Sequence, residues 1–265
     1  EQNQVQLKIV VLLYLLFCLS LNCTDVQAFT DYGFTPEKVQ NKTSRKLDFK
    51  IPNVLKSTLD NGISLFTYSD HEIPLITARI ILRTGSFCDF KNKEGLADIT
   101  GRLVRTGGIV GVPADSVDEM LDQFAGYLEF SVSADTTTAM LSVLKDDLDK
   151  GLLLFSKMII SPAFEEQKLQ IAKSIKIEEL RRLPDDPFRL ARREFNRQMY
   201  KNDPRGRYPS IGSIEEINRE DLIQFHKKHF RPENMTIAVS GDITHTEAFK
   251  VVNKYFGSWK LTGGA

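Results

Sequence analysis

The sequence predicts an α+β protein with two layers, in which a largely antiparallel sheet carries helices on one face. Strand-like runs occur in pairs around tight turns, as antiparallel neighbours do. Helical segments lie between these pairs, without the strict alternation of strand and helix that builds a parallel sheet. The composition, 42% hydrophobic and 26% charged, is typical of a globular protein with an apolar core. The formal net charge of zero argues against nucleic acid as a partner.

The strands are predicted from β-branched and alternating apolar runs. The first two flank Asn61-Gly62, a pair typical of a hairpin turn in which both residues take positive φ. Residues 73–86 are rich in isoleucine and threonine and predict a third strand. Further strands are predicted over 127–135, 137–144 and 235–242.

Helices are predicted where apolar residues recur at intervals of three and four. The first covers 94–106 and ends at Gly107-Gly108. The second is predicted to begin at a cap formed by Asp115 or Ser116. Later helices are predicted over 145–160, 164–182, 188–199, after a cap near Asn218, and over 244–259. On the helix after Asn218, His226 and His229 are expected to be exposed, because Lys227 and Lys228 separate them.

The N-terminal segment predicts export. Lys8 precedes the apolar run Ile9–Cys23, and small residues around Val26–Ala28 are typical of a cleavage point. We therefore predict a signal peptide over 1–28, a polar linker over 29–45, and a periplasmic or secreted protein without a membrane span in its mature chain. An uncleaved membrane anchor is the alternative.

Three separated stretches carry a family resemblance: "LDNGISLFTYSDHEIPLITARIILRTGSFCDFKNKEGLADI", "YLEFSVSADTTTAMLSVLKDDLDKGLLLFSKMIISPAF" and "SIGSIEEINREDLIQFHKKHFRPENMTIAVSGDI". Their order and spacing resemble the first domain of the insulinase and pitrilysin family of zinc peptidases, which includes the mitochondrial processing peptidase subunits. The resemblance implies such a domain over 46–262. Family members carry two of these domains in tandem, so 263–265 is expected to begin an interdomain linker within a longer protein.

The resemblance also implies where catalytic residues belong. Active members hold zinc with an inverted His-x-x-Glu-His on one helix, where the glutamate is the general base, and with a second glutamate far downstream. Here the three key positions of the motif hold Asp98, Gly101 and Arg102. Arginine stays protonated and cannot bind a cation, and glycine has no group to act as a base. The downstream ligand position keeps Glu179, while a supporting acidic position holds Ala172.

These changes predict a network of side chains in place of a metal. Arg102 lies four residues after Asp98, on the same helical face, and is expected to face Glu179 as well. We expect Arg102 to supply the positive charge of the missing zinc by pairing with Asp98 and Glu179. Calcium is disfavoured because it requires about six oxygen ligands.

The sequence therefore favours a non-catalytic protein, a pseudoenzyme without zinc. The resemblance implies a subunit of an exported peptidase complex, a heterodimer with a zinc-bearing homologue that encloses a peptide-binding chamber. One alternative is an active metallopeptidase that uses a metal or residues outside this segment. The other is a stand-alone peptide-binding scaffold.

Overall fold

A six-stranded mixed sheet organises the part of the chain that the computed structural model describes, residues 52–260. The strands are β1 (Leu55–Thr58), β2 (Ser64–Ser69), β3 (Leu75–Leu82), β4 (Tyr127–Val132), β5 (Thr137–Leu144) and β6 (Met235–Gly241). They lie side by side in the order β1-β2-β6-β3-β5-β4. Only β2 and β6 are parallel neighbours, so the predicted α+β class with a largely antiparallel sheet is confirmed.

Several predicted boundaries lie outside the described residues. They are the signal peptide over 1–28, the linker over 29–45, both limits of the domain over 46–262, and the linker start at 263–265. Within residues 52–260, no helix combines the length and the apolar composition needed to cross a membrane.

Eight α-helices lie among the described residues. They are α1 (Leu96–Thr106), α2 (Ala114–Gln123), α3 (Leu148–Ile160), α4 (Glu166–Arg181), α5 (Pro187–Met199), α6 (Ile211–Glu215), α7 (Arg219–His229) and α8 (His245–Phe256). The short helix α6 is not among the helices predicted from the sequence. A reciprocal pair of hydrogen bonds between Ser210 and Ser213 caps its first turn.

Helix α2 begins earlier than predicted. Its first residue is Ala114, and neither Asp115 nor Ser116 caps it. The carboxylate of Glu165 instead accepts a hydrogen bond from the Ala114 backbone N–H at 2.8 Å. A side chain distant in sequence therefore satisfies a free N–H at this helix start, which local sequence patterns do not reveal.

The core lies on one face of the sheet. Alternate residues of β3 and β5 are buried, as the period of two in a strand requires. Ile76, Ile80 and Leu82 of β3 are fully enclosed, and each such side chain stabilises the fold by about 1.5–3 kcal/mol. Helix α3 packs on β5, and α8 packs on β2 and α3. This leaves the opposite face of β3 partly exposed.

The β1–β2 hairpin is confirmed, but its turn differs from the prediction. The connection is closed by hydrogen bonds from Gly62 N to Leu59 O and from Leu59 N to Ile63 O, both 2.9 Å. Of the Asn61-Gly62 pair, only Gly62 has a positive φ, 86°. The observed connection is therefore a longer turn that ends in one left-handed glycine, whereas the prediction was a two-residue turn with positive φ at both positions. Asn61 is buried, and its side chain forms hydrogen bonds with residues far along the chain.

We expect Asn61→Ala to destabilise the described domain by about 1–3 kcal/mol, because it removes both hydrogen bonds that the buried Asn61 amide donates to backbone carbonyls. Asn61 Nδ2 donates to Phe256 O at 2.7 Å and to Trp259 O at 3.0 Å, at the C-terminal end of α8. Urea unfolding measures the change. Asp60→Ala is the matched control, since Asp60 is exposed in the same turn. Equal losses in both variants would contradict the assignment.

Candidate functional site

Helix α1 is positioned by a buried carboxylate. Asp89 accepts hydrogen bonds from Gly95 N and Ala97 N, both at 2.7 Å, and so satisfies free N–H groups at the start of the helix. Burial raises the pKa of Asp89 to about 6, although these hydrogen bonds and the Arg207 guanidinium act in the opposite direction. The cap holds the helix that carries Asp98, Gly101 and Arg102 in place.

Helix α4 packs against α1 and brings Glu179 to this surface. Arg102 Nη2 lies 3.2 Å from Glu179 Oε1, within hydrogen-bond and ion-pair distance. The side chains of Arg102 and Glu179 are 36% and 45% exposed. Water screens a pair of this kind, so its own contribution to stability is at most about 1 kcal/mol.

Asp98 has a different partner from the one the sequence indicated. Its Oδ2 lies 2.7 Å from Lys176 Nζ, whereas its expected partner was Arg102. The same ammonium lies 3.1 Å from Glu179 Oε2. Lys176 therefore bridges the two carboxylates, and Arg102 completes the set from the other side of Glu179. The ion-pair network therefore consists of two carboxylates, Asp98 and Glu179, and two cations, Lys176 and Arg102.

Sequence reasoning missed Lys176. The available signal was its spacing, because Lys176 lies three residues before Glu179 on α4 and so shares a helical face with it. Burial by itself lowers the pKa of the Lys176 ammonium. The carboxylates of Asp98 and Glu179 more than reverse this, so its pKa lies above the ordinary value and the side chain stays charged.

Gly101 leaves no space for a side chain at the position of the general base. A Cβ atom added there would lie 2.4 Å from Val132 Cγ2, far inside van der Waals contact. Val132 is the last residue of β4, on which α1 packs. Its β-branched side chain has few alternative rotamers, so it does not easily move away. The volume that a glutamate would need is occupied.

The residues present do not fit zinc. Zinc binds cysteine, histidine and carboxylate groups, usually four in number. Here only Asp98 and Glu179 can donate, and Lys176 already lies within ion-pair distance of both. Across residues 52–260, no group of three histidine, cysteine or acidic side chains is arranged to hold a metal ion.

Two adjoining cavities open beside the network, with volumes of about 550 Å³ and 400 Å³. The larger is lined by α1, by the end of β4 at Val132 and by the loop that carries Arg205 and Arg207. The smaller lies between α4 and α5. Lys176 lines both, so the ion-pair network forms part of the wall of these two neighbouring cavities, which together are called the cleft.

Fold and site define a peptidase-like domain in which ion pairs lie at positions where the family resemblance implies metal ligands. Residues 65–208 match the model of Insulinase (Peptidase family M16), and residues 216–264 match that of the Peptidase M16 inactive domain. The first match alone covers more than half of the chain. The chain therefore belongs to the insulinase family, peptidase family M16.

Individual relatives agree with this assignment. An uncharacterized zinc protease of Rickettsia bellii is 25% identical over 211 residues, which are 78% of this chain and 50% of that protein. The structure of a peptidase M16 inactive domain from Pseudomonas fluorescens has a TM-score of 0.74 at 23% identity, covering 80% of this chain and 52% of that one.

The periplasmic protease PqqL from Escherichia coli has a TM-score of 0.71 at 20% identity, covering 82% of this chain and 25% of that one. At sequence identities of 20% and 23%, these two structural similarities show a shared fold and nothing about function. The chain spans about half the length of the first curated relatives it matches.

Proposed function

We propose that this chain is a non-catalytic subunit, without zinc, of an insulinase-family peptidase complex. One observation carries the proposal. The positions that would hold a metal ligand and a general base are occupied by an ion pair of Arg102 and by the packing of Val132 against Gly101. A chain built this way retains the fold and the cleft but has no group at these positions to activate water.

The retained activity in this proposal is peptide binding within a chamber. Strand β4 lies at the end of the sheet, and among the described residues no strand pairs with its outer edge. Arg105 Nε donates to Leu128 O at 3.3 Å, which covers one backbone group of that edge. The rest of β4 leads into the larger cavity at Val132. An extended peptide can add to such an edge through backbone hydrogen bonds.

The remaining parts of the proposal concern the setting of the protein. The partner is a zinc-bearing homologue, which supplies the metal and the base, and the two chains form a heterodimer. The complex is exported, to the periplasm or beyond, as the apolar segment Ile9–Cys23 favours. The structurally similar PqqL of Escherichia coli is a periplasmic protease, which is compatible with this location.

Co-expression with a zinc-bearing homologue from the same genome tests the proposal. We expect the full-length chain alone to contain no stoichiometric zinc and to show no peptidase turnover. Together, the two chains should co-purify and cleave peptides faster than the homologue alone. Stoichiometric zinc with turnover in this chain alone would favour the active enzyme instead. Peptide binding by a chain that does not associate with the zinc-bearing homologue would favour the stand-alone scaffold.

A further inference from the structure

Helix α5 forms one wall of the cleft and differs from the core helices. It has no buried residue, and its sequence "PFRLARREFNRQM" is rich in arginine. Three of these arginines line the smaller cavity, together with α4: Arg189, Arg192 and Arg193. Because they line the same concave surface, the three arginines can contact one ligand together.

These three arginines lack acidic partners among the described residues. Arg193 Nη2 donates to Pro209 O at 2.8 Å, and its guanidinium lies 5.5 Å from the ring centre of Tyr208. Neither contact neutralises its charge. Arg189 and Arg192 form no ion pair with any residue in 52–260. By contrast, Arg197 on the same helix pairs with Glu194 at 3.3 Å and does not line either cavity.

The acids that line the cleft are already matched. Asp98 and Glu179 pair with Lys176, and Glu179 also pairs with Arg102. Asp89 is held by two backbone N–H groups. The cleft therefore has a positive charge that the domain itself does not balance, in a chain whose formal net charge is zero.

The rim of α5 adds an apolar stripe. Phe188, Phe195 and Met199 are 89%, 63% and 62% exposed. Their spacing of seven and four places them on one face of the helix, and Arg192 lies beside that face. Large exposed aromatic side chains next to unpaired arginines are typical of surfaces that bind another chain.

We propose that the cleft between α4 and α5 binds an acidic peptide segment. Its carboxylates pair with Arg189, Arg192 and Arg193, and an apolar side chain of the peptide packs on the stripe formed by Phe188, Phe195 and Met199. The inference rests on the proposed peptide-binding function and specifies its substrate class. A bilayer surface fits less well, since the three arginines line a cavity that a flat surface does not enter.

Binding of three labelled peptides to the full-length protein tests this inference. The peptides share one length and one apolar residue and differ in carrying aspartate and glutamate, asparagine and glutamine, or lysine and arginine. We expect the acidic peptide to bind most tightly and its affinity to fall with added salt. In the double variant Arg189→Gln, Arg192→Gln, its affinity should fall about three- to tenfold, as expected for two partly exposed pairs.

Two further variants separate a charge effect from a structural one. Arg197→Gln changes the same helix outside the cavities and should leave the affinity for the acidic peptide unchanged. Arg192→Glu should weaken binding of the acidic peptide and strengthen binding of the basic peptide. Loss of folding cannot produce these two opposite changes. Circular dichroism checks that each variant is folded.

The outcomes distinguish this inference from the proposed function. Equal binding of all three peptides would overturn the acidic specificity and leave peptide binding standing. No binding of any peptide, by this chain alone or together with the homologue, would overturn the acidic specificity and the peptide-binding part of the proposed function. Binding of anionic vesicles or RNA that depends on Arg189 and Arg192, without binding of the acidic peptide, would overturn the inference and assign the cleft to another ligand.

Discussion

A chain carrying Asp98→His, Gly101→Glu and Arg102→His together is expected to bind less than one zinc per chain and to be less stable than the natural protein. The substitutions restore the ligand types but not the space. Val132 Cγ2 lies 2.4 Å from the place of a Cβ at Gly101, and forcing a side chain into a packed site costs about 1–3 kcal/mol. The Lys176 ammonium, within 3.1 Å of Glu179, also repels a cation at the remaining ligand.

Adding Val132→Ala and Lys176→Met to this variant removes both obstacles. The chain with five substitutions should therefore retain more zinc than the chain with three. Metal analysis after dialysis measures the zinc content, and urea unfolding measures the stability. One zinc per chain in the triple variant, with unchanged stability, would show that α1 and β4 separate easily and would contradict the packing argument.

A simpler pair of variants provides the control. Gly101→Ala alone should destabilise the fold, although alanine is the better helix former by about 1 kcal/mol. In a chain that already carries Val132→Ala, Gly101→Ala should lower the free energy of unfolding by less, or should raise it. The difference between the two costs measures the contact between Gly101 and Val132 directly.

The second large effect concerns His226, which was expected to be exposed and is partly buried instead. Its ring lies between Phe164 and Phe230, with ring centres 5.7 Å and 4.6 Å away. Its Nε2 lies 2.7 Å from Ile159 O, and since a carbonyl only accepts, Nε2 donates in this contact. Burial lowers the pKa of His226 to about 4, against the opposing effect of that hydrogen bond.

Acid is therefore expected to weaken the fold through His226. Its pKa is lower in the folded chain than the ordinary 6.5, so the unfolded chain binds more protons between about pH 6.5 and 4. The stabilisation is complete above pH 6.5 and falls by about 3 kcal/mol as the pH drops to 4. His229 changes in the same direction, because burial also lowers its pKa.

Asp89 acts in the opposite direction and hides part of this effect in the natural chain. Its pKa is raised from 3.8 to about 6, so the folded chain binds the extra proton between these values. Lowering the pH through that window therefore adds stability. A comparison of two chains that both keep Asp89 removes this contribution.

The variant His226→Gln supplies that comparison, because glutamine can donate to Ile159 O without titrating. We expect its cost in stability, relative to the natural chain, to shrink by about 3 kcal/mol from pH 7 to pH 4. Urea unfolding at several pH values measures it. Lys227→Gln, at an exposed neighbouring position, should show a constant difference. A cost of His226→Gln that does not change with pH would contradict the pKa argument.

Local patterns determined much of this protein. Alternation along β3 and β5, helical spacing in α1 and the Asn61-Gly62 pair each depend on neighbouring residues, and each was predicted from sequence. The family resemblance indicated Asp98, Gly101 and Arg102, together with Glu179, as residues of a former metal site. These local patterns define which face of a helix or strand is apolar and where the chain turns.

The tertiary structure decided what those faces meet. Lys176 bridges Asp98 and Glu179, Val132 occupies the space beside Gly101, and Asn61 reaches the end of α8. Apart from the local pair of Lys176 and Glu179 within α4, each contact joins residues on different elements, and only the packing of those elements sets the distance between them. The family resemblance predicts that the zinc ligands are missing. The packed helices show which charges and which side chain lie at the positions that the resemblance indicates.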